Sequence, residues 1–505
     1  MAPCRAPEDR VLGLLEGHEP FRATVMGLGL FGGGLGAARF LAGRGAQVTV
    51  TDLKGEASLA ESLQKLPPRC RLVLGRHEEA DFRGTNLVVA NPAVRPDSPF
   101  LAVAREAGVP VETEISLFLR FCPAPSLGVT GSNGKTTTTS LLAHMLQSAG
   151  WRTHLGGNVG GSLLESLGKI APADRVVLEL SSFQLHYLGP RDLGPRGGVV
   201  TNLTPNHLDW HVTMDHYEAA KREILRRAEW AVLNVEDACL GRWTAGAGVI
   251  RYFGTGEGTS AWEADGHLWL ELGGVTERLL PCAEVPLPGR FNRLNILAAA
   301  LAARLEGAPT GAVAEAVRSF RAVPHRLELV AEWGGRRFFN DSVSTTPEST
   351  RAALEAFPQS PLVVLVGGRD KGCALEGFLE DLAGKACGVV FMGEIGPRLL
   401  AEYTELPLPR KARAVLAGRF EEAFELACSL APEGAAVVLS PGFPSYDWFR
   451  NFVERGERFR QLARAGAERA AGSGRLGAVR LGGAGVRKSK KVRRLASNEG
   501  LRPVR

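Results

Sequence analysis

Thr130-Gly131-Ser132-Asn133-Gly134-Lys135-Thr136-Thr137 decides the reading of this 505-residue chain. It follows the apolar run Ser126-Leu-Gly-Val-Thr130 and precedes a helical pattern from Thr136 to Ala149. The stretch is therefore a loop joining a buried strand to a helix N-terminus. Glycines there let backbone N–H groups approach phosphate oxygens, and the helix end adds positive potential. Lys135 is placed to reach the β and γ phosphates, and the Thr136 hydroxyl to hold Mg²⁺. The common eight-residue pattern has glycine where this chain has Val129. The loop is a shorter variant in an intact strand-loop-helix setting, and it reads as a nucleotide-phosphate site.

Upstream, the short strand Ala23-Thr-Val-Met leads into Gly27-Leu-Gly29-Leu-Phe-Gly32, a helical stretch through Leu41, and a second strand ending at Asp52. That is the layout of a dinucleotide fold, with an acid about twenty residues beyond the glycines. It admits a nucleotide-like ligand or a purely structural tight turn. Leu87-Val-Val-Ala and Val109-Pro-Val read as further strands. Downstream, Arg175-Val-Val-Leu-Glu-Leu and Gly198-Val-Val-Thr-Asn-Leu are apolar enough to be parallel strands buried on both faces. Asp215 reads as a helix N-cap with Glu218 three residues on, and residues 289–305 as another helix with its entry loop.

From about Val323 the alternation of strand and helix resumes, with strands at Arg337-Phe-Phe, residues 361–366, 388–391 and 435–439. The expected fold is α/β in three domains. Residues 1–121 form a Rossmann-like domain, 122–322 a phosphate-loop ATPase domain with a parallel sheet, and 323–468 a second Rossmann-like domain. Residues 469–505 form a basic, disordered tail. The net charge of +6 is concentrated in that tail, where Arg487, Lys488, Lys490, Lys491, Arg493, Arg494, Arg502 and Arg505 crowd together. Contact with anionic lipid or nucleic acid is one reading of the tail, and a solvated extension is the other.

Hydrophobic content of 45% and charged content of 23% are ordinary for a folded protein. No window offers the ~18 apolar residues of a membrane span, and the N-terminus lacks the basic start and apolar run of a signal peptide. The eight scattered cysteines form no Cys-x-x-Cys pair, which argues against a zinc site or a disulfide framework. A cytoplasmic protein is expected.

Glu179 ends a strand before Ser181-Ser-Phe-Gln, and His207 follows the strand ending near Asn202. Beside a phosphate loop, both are candidate metal ligands. Lys221, on a helix face, would by itself be a solvated surface lysine.

Together these motifs resemble the Mur ligases, which build the cytoplasmic peptidoglycan precursor. The phosphate loop is followed, in the family's order, by Gly157-Asn158-Val-Gly160, Glu179-Leu-Ser-Ser-Phe-Gln184, Asn206-His207-Leu-Asp and His216-Tyr-x-x-Ala-Lys221. Gly289-Arg-Phe-Asn292-Arg-Leu-Asn295, Pro324-His-Arg326 and Asn340-Asp341-Ser come next. The similarity runs from about residue 20 to 465. Gly367-Gly-Arg-Asp-Lys371 and Leu439-Ser-Pro-Gly-Phe-Pro-Ser445-Tyr-Asp-x-Phe449 look most like the member that adds glutamate. No Asp-Asn-Pro-Arg signature of the diamino-acid-adding member is present.

The resemblance implies an ATP-dependent ligase that joins D-glutamate to UDP-N-acetylmuramoyl-L-alanine through an acyl phosphate. The same resemblance implies a monomer that uses two Mg²⁺ ions and no nucleic acid. Leu30, Phe31, Asp52 and Lys54 would hold the uridine nucleotide, with Asn158 along the substrate diphosphate. Gly131, Ser132, Asn133, Gly134, Lys135, Thr136, Thr137, Asn295, Arg326 and Asp341 would bind ATP. Thr136, Glu179, His207 and Lys221 would serve the metals, Lys221 as a carbamate, and Lys135, Lys221 and His207 would form the catalytic set. Thr345, Lys371, Ser445 and Phe452 would face glutamate.

This chain departs from the family's usual wording at two places. Val343 replaces a lysine in the stretch after Asp341, and Asn206 stands where many members have Asp. Ser344-Thr-Thr-Pro347 resembles a subgroup that adds L-glutamate, so that isomer is the alternative, with another Mur or folylpolyglutamate-type ligase behind it.

Overall fold

The computed structural model describes residues 7–17, 19–29, 32–256, 258–370, 372, 375–472 and 480–481. The chain divides into two compact units, Met1–Val323 and Pro324–Arg505. Leu30, Phe31, Lys371 and nearly all of the basic tail lie outside the described residues.

The first unit contains two sheets. Strands β1 (Arg22–Met26), β2 (Gln47–Asp52), β3 (Arg71–Leu74), β4 (Leu87–Ala90) and β5 (Val111–Glu112) form a parallel sheet in the order β3-β2-β1-β4-β5. This is the dinucleotide-fold order, and it reverses between β1 and β4, where such sheets open a ligand crevice. The strand expected at residues 109–111 forms two residues later, because Pro110 has no N–H to donate to a ladder.

The second sheet contains β6 (Ser126–Thr130), β7 (Thr153–Gly157), β8 (Arg175–Glu179), β9 (Gly197–Val200), β10 (Trp230–Asn234), β11 (Val249–Phe253), β12 (Ala261–Ala264), β13 (His267–Leu272) and β14 (Val275–Pro281). Its order is β14-β13-β12-β11-β10-β9-β6-β8-β7. All five residues of β6 are buried, as befits a strand flanked on both sides and covered on both faces. Strand β12 pairs parallel with β11, but β13 runs antiparallel to both β12 and β14, an extension absent from the parallel reading. Their turns, Asp265-Gly266 and Gly273-Gly274, carry the positive φ angles of tight hairpins.

One hydrophobic core joins the two sheets, from Val25 and Phe118 to Leu178 and Trp243. A buried ion cluster also joins them. Glu112 accepts from Arg120 at 3.0 Å and from Arg191 at 3.0 Å, the latter on the second sheet's side.

The second unit builds β15 (Glu328–Trp333), β16 (Arg336–Asn340), β17 (Leu362–Gly367), β18 (Gly388–Met392), β19 (Arg413–Leu416), β20 (Ala436–Gly442) and β21 (Arg480–Leu481) into one sheet, ordered β19-β18-β17-β20-β16-β15-β21. The strands from β19 to β16 are parallel. The last helix, Phe452–Gly472, continues beyond the residues at which the tail was expected to begin. Gly466 is buried so tightly against Trp333 that a Cβ would strike the indole, so packing holds the helix there despite the small residues. Asp215 is not an N-cap. The helix Met214–Arg222 is capped by Thr213, whose side chain accepts from His216 N.

Candidate active site

Strand register places the phosphate loop between two other strand ends. Val129 on β6 pairs with Glu179 on β8, and Thr130 pairs with Val200 on β9. The residues leaving all three strands therefore emerge side by side at the carboxyl edge of the sheet. Gly134 caps the helix Lys135–Ser148 at φ 81°, and Gly131 has φ 146°, both costly for any residue with a Cβ. A Cβ on Gly134 would also run into the Asn295 side-chain oxygen, which accepts from Thr138 at 3.2 Å. Asn295 thus lies directly on the loop.

The loop is held from below by residues that the motif did not single out. Ser132 Oγ donates to Thr204 O at 2.9 Å and lies 2.9 Å from the Tyr217 hydroxyl. Asn133 N donates to Asn202 Oδ1 at 2.9 Å, and Thr201 Oγ1 donates to Asn133 O. Lys135 Nζ folds back onto the carbonyls of Gly131 and Ser132, each at 2.9 Å. Thr136 and Thr137 lie half-buried in the first helical turn.

Lys221 is not a surface lysine. It is only 1% exposed, and its Nζ donates to Gly131 O at 2.8 Å and Thr130 Oγ1 at 3.2 Å. Burial, then the nearby Lys135 charge, push its pKa well below the usual lysine range, against the pull of Glu179. An amine held neutral can be carbamylated, whereas an ammonium cannot. Glu179 accepts from Asn158 Nδ2 at 2.9 Å through Oε1, while its Oε2 is buried with no hydrogen-bond partner. A buried carboxylate oxygen left open beside a phosphate loop suits a divalent cation.

His207 sits at φ 54°, heading the single turn Leu208–His211, with its ring 4.9 Å from Phe183. Burial of part of the ring, then the Lys135 charge, lower its pKa. Asn206 is exposed and accepts from His207 N at 2.9 Å. Among the described residues, no group of three or more His, Cys, Asp or Glu side chains converges as a metal cage.

At the β1/β4 crevice, Asp52 is buried and accepts from Gly29 N at 3.3 Å and Lys54 N at 2.9 Å, while the Lys54 side chain is exposed. Asn91, following β4, lies on the other side, where a Cβ on Gly27 would strike it. The sequence reading identified β4 but passed over Asn91. Its place past a strand end at the order reversal was the available signal.

In the second unit, Asp341 is buried and accepts from Leu327 N at 3.1 Å, Ser344 Oγ at 2.6 Å and Ser440 Oγ at 2.9 Å. Burial raises its pKa to about 6 against those bonds. Arg326 lies between two left-handed residues, His325 and Leu327, and its charge favours the Asp341 carboxylate. Val343 is half-buried, with its N–H donating to His325 O at 3.2 Å. Thr345 is half-buried after β16, Ser445 is 2% exposed after β20, and Phe452 opens the last helix. Arg455, which the sequence reading missed, is buried and donates to Ser342 Oγ, Ser342 O and Phe443 O. It ties the Asp341 loop to the Ser445 loop.

Three segments match described families. Residues 21–113 match the MurD-like N-terminal domain of Mur ligases, 129–303 the Mur ligase middle domain, and 325–443 the Mur ligase glutamate ligase domain. The chain is 40% identical over 457 residues to the UDP-N-acetylmuramoylalanine--D-glutamate ligase of Roseiflexus sp. (strain RS-1), covering 87% of this chain and 98% of that one. The same-named protein of Geobacter metallireducens is 38% identical, with 88% and 97% covered. Among solved structures, the UDP-N-acetylmuramate-alanine ligase MurC of Thermotoga maritima superposes with a TM-score of 0.57 at 20% identity, covering 88% of this chain and all of that one. MurF of Acinetobacter baumannii gives 0.57 at 16%, with 90% and 98% covered. At these identities the two structures speak for the fold alone.

Proposed function

The chain belongs to the Mur ligase family, and from that premise we propose that it joins D-glutamate to UDP-N-acetylmuramoyl-L-alanine at the cost of ATP, as a cytoplasmic monomer in peptidoglycan precursor synthesis. The observation that carries this is the convergence of Lys135, Glu179 and Lys221 on the Gly131 loop, at the edge shared by β6, β8 and β9. The relatives' names favour the D isomer over the alternative raised by Ser344-Thr-Thr-Pro347.

Labour divides along the chain. Residues 1–121 hold the uridine nucleotide at Asp52, Lys54, Leu30 and Phe31, with Asn158 of the next domain along the diphosphate. Residues 122–322 activate ATP, and residues 323–468 supply Arg326 and Asp341 to ATP and Thr345, Lys371, Ser445 and Phe452 to glutamate. Thr136, Glu179, His207 and carbamylated Lys221 would hold Mg²⁺, which when bound neutralises phosphoryl charge.

The loop amides and Lys135 steady the γ-phosphoryl group while the alanine carboxylate attacks it, displacing ADP and leaving an acyl phosphate. The glutamate amine then attacks the activated carbonyl, phosphate departs, and an amide forms. Mass spectrometry of a reaction with ATP, UDP-N-acetylmuramoyl-L-alanine and D-glutamate tests the reading. A product lengthened by one glutamate is expected, and its absence would refute the assignment.

A further inference from the structure

We propose that Asp447 is a positioning residue for the amino-acid subsite of the second unit, holding the turn that presents Ser445. The inference rests on the reading above, in which Ser445 faces glutamate.

From β17, the chain lays β18 and then β19 outward on one side, and β20 returns on the other side of β17. The crevice past the ends of β17 and β20 is therefore the switch point of this sheet, the usual place for a ligand. Among the described residues, the hydrogen bonds that stitch the loops around it include the following four. Gly442 N donates to Ser344 O at 2.9 Å, Arg369 N to Pro444 O at 2.8 Å, and Ile395 N to Gly368 O at 3.0 Å. The fourth runs from Glu394 N to Asp447 Oδ2 at 3.0 Å. Three of these bonds are purely backbone, and the fourth uses the Asp447 side chain.

The turns are in close contact. A Cβ on Gly368 would strike the Pro444 carbonyl, and one on Gly393 would strike the Asp447 carboxylate. The neighbours of Asp447 cannot do its work, because Tyr446 is 62% exposed and Trp448 37% exposed. Ser445, by contrast, is buried. The turn is thus anchored inward through Asp447, and on its other flank through Arg455, which donates to Phe443 O at 3.0 Å and feels the Asp447 charge. Releasing Asp447 frees the turn at the residue that meets the amino acid, leaving the phosphate loop of the first unit untouched.

Steady-state kinetics on the full chain test this. Asp447→Ala, and Asp447→Ser in case the first variant folds poorly, should raise KM for D-glutamate about fivefold or more, the worth of one hydrogen bond. KM for ATP and for UDP-N-acetylmuramoyl-L-alanine should stay within about twofold of wild type. Asp447→Asn keeps an oxygen acceptor and should restore the glutamate KM to within about twofold. Glutamate KM unchanged in Asp447→Ala and Asp447→Ser, all three KM values raised alike, or Asp447→Asn as impaired as Asp447→Ala would each overturn the proposal. Ser445→Ala separates the two levels. If it leaves the glutamate KM unmoved, the subsite itself is misplaced and the inference falls with it. If it raises that KM while Asp447→Ala does not, the positioning role alone is wrong.

Discussion

Lys221 Nζ lies 2.8 Å from the carbonyl oxygen of Gly131, so a buried amine on one helix is bonded to the turn that would receive phosphate. Few ordinary roles suit a lysine there. Removing it from water disfavours its charge, and the nearby Lys135 disfavours it further.

Lys221→Met should therefore separate activity from stability. Replacing a desolvated amine by an apolar chain of similar length is expected to leave the melting temperature unchanged or raise it. Ligase turnover should fall by about two orders of magnitude or more, the scale seen when a charge-stabilising group leaves an active site. NMR after labelling with ¹³C-bicarbonate should show a carbamate signal in wild type and none in the variant.

Glu179→Gln removes a buried charge whose Oε2 has no partner, while an amide oxygen can still meet Asn158. Thermal stability should hold or improve. The Mg²⁺ concentration for half-maximal activity should rise about tenfold, the scale of losing one charged hydrogen-bonding or ligand interaction. A titration of activity against Mg²⁺ reads this directly.

Glu114 predicts a pH effect. It is buried beneath Ser162, and desolvation raises its pKa to about 7. The folded chain therefore binds a proton here that the unfolded chain has released, across the range from the ordinary glutamate value of 4.5 to about 7. Its contribution is fully present below the lower value and is lost as pH rises through the window, by up to about 3 kcal/mol. Asp341, raised to about 6, acts in the same direction. Melting temperature should fall from acidic to mildly alkaline pH, and Glu114→Gln should flatten that slope in calorimetric scans.

Val212 stands at φ 67° and ψ −46°, closed by a Thr213 N to His211 O hydrogen bond of 2.7 Å. That is a γ-turn of the strained hand, and a β-branched residue is poorly suited to it. Relief of strain worth about 1–3 kcal/mol outweighs the ~1 kcal/mol entropic cost of glycine. Val212→Gly should accordingly stabilise the protein by about 1 kcal/mol in denaturant unfolding.

Much of this was legible in the residues themselves. Strand-loop-helix context exposed the phosphate loop, and the mostly apolar runs ending at Thr130, Leu180 and Asn202 marked the central strands. The family resemblance singled out Lys221, but its burial was not legible in the local pattern, because it comes from strand ends that fold back from ninety residues away. The antiparallel strands β12–β14 were missed because their mixed polar pattern belongs to a half-covered sheet margin. The cap of the Lys221 helix fell to Thr213 instead of Asp215, since both residue types serve that role and only the backbone entering the helix decides. Asn91, Asp447 and Arg455 act by spacing between loops, which no local pattern records.

The most direct test of the ligase reading is phosphate release from ATP, followed with each acceptor withheld in turn. Release should require UDP-N-acetylmuramoyl-L-alanine and D-glutamate together, and L-glutamate should substitute poorly. Equal release with neither acceptor present would contradict it, and would make the Gly131 loop the centre of a nucleotide hydrolase.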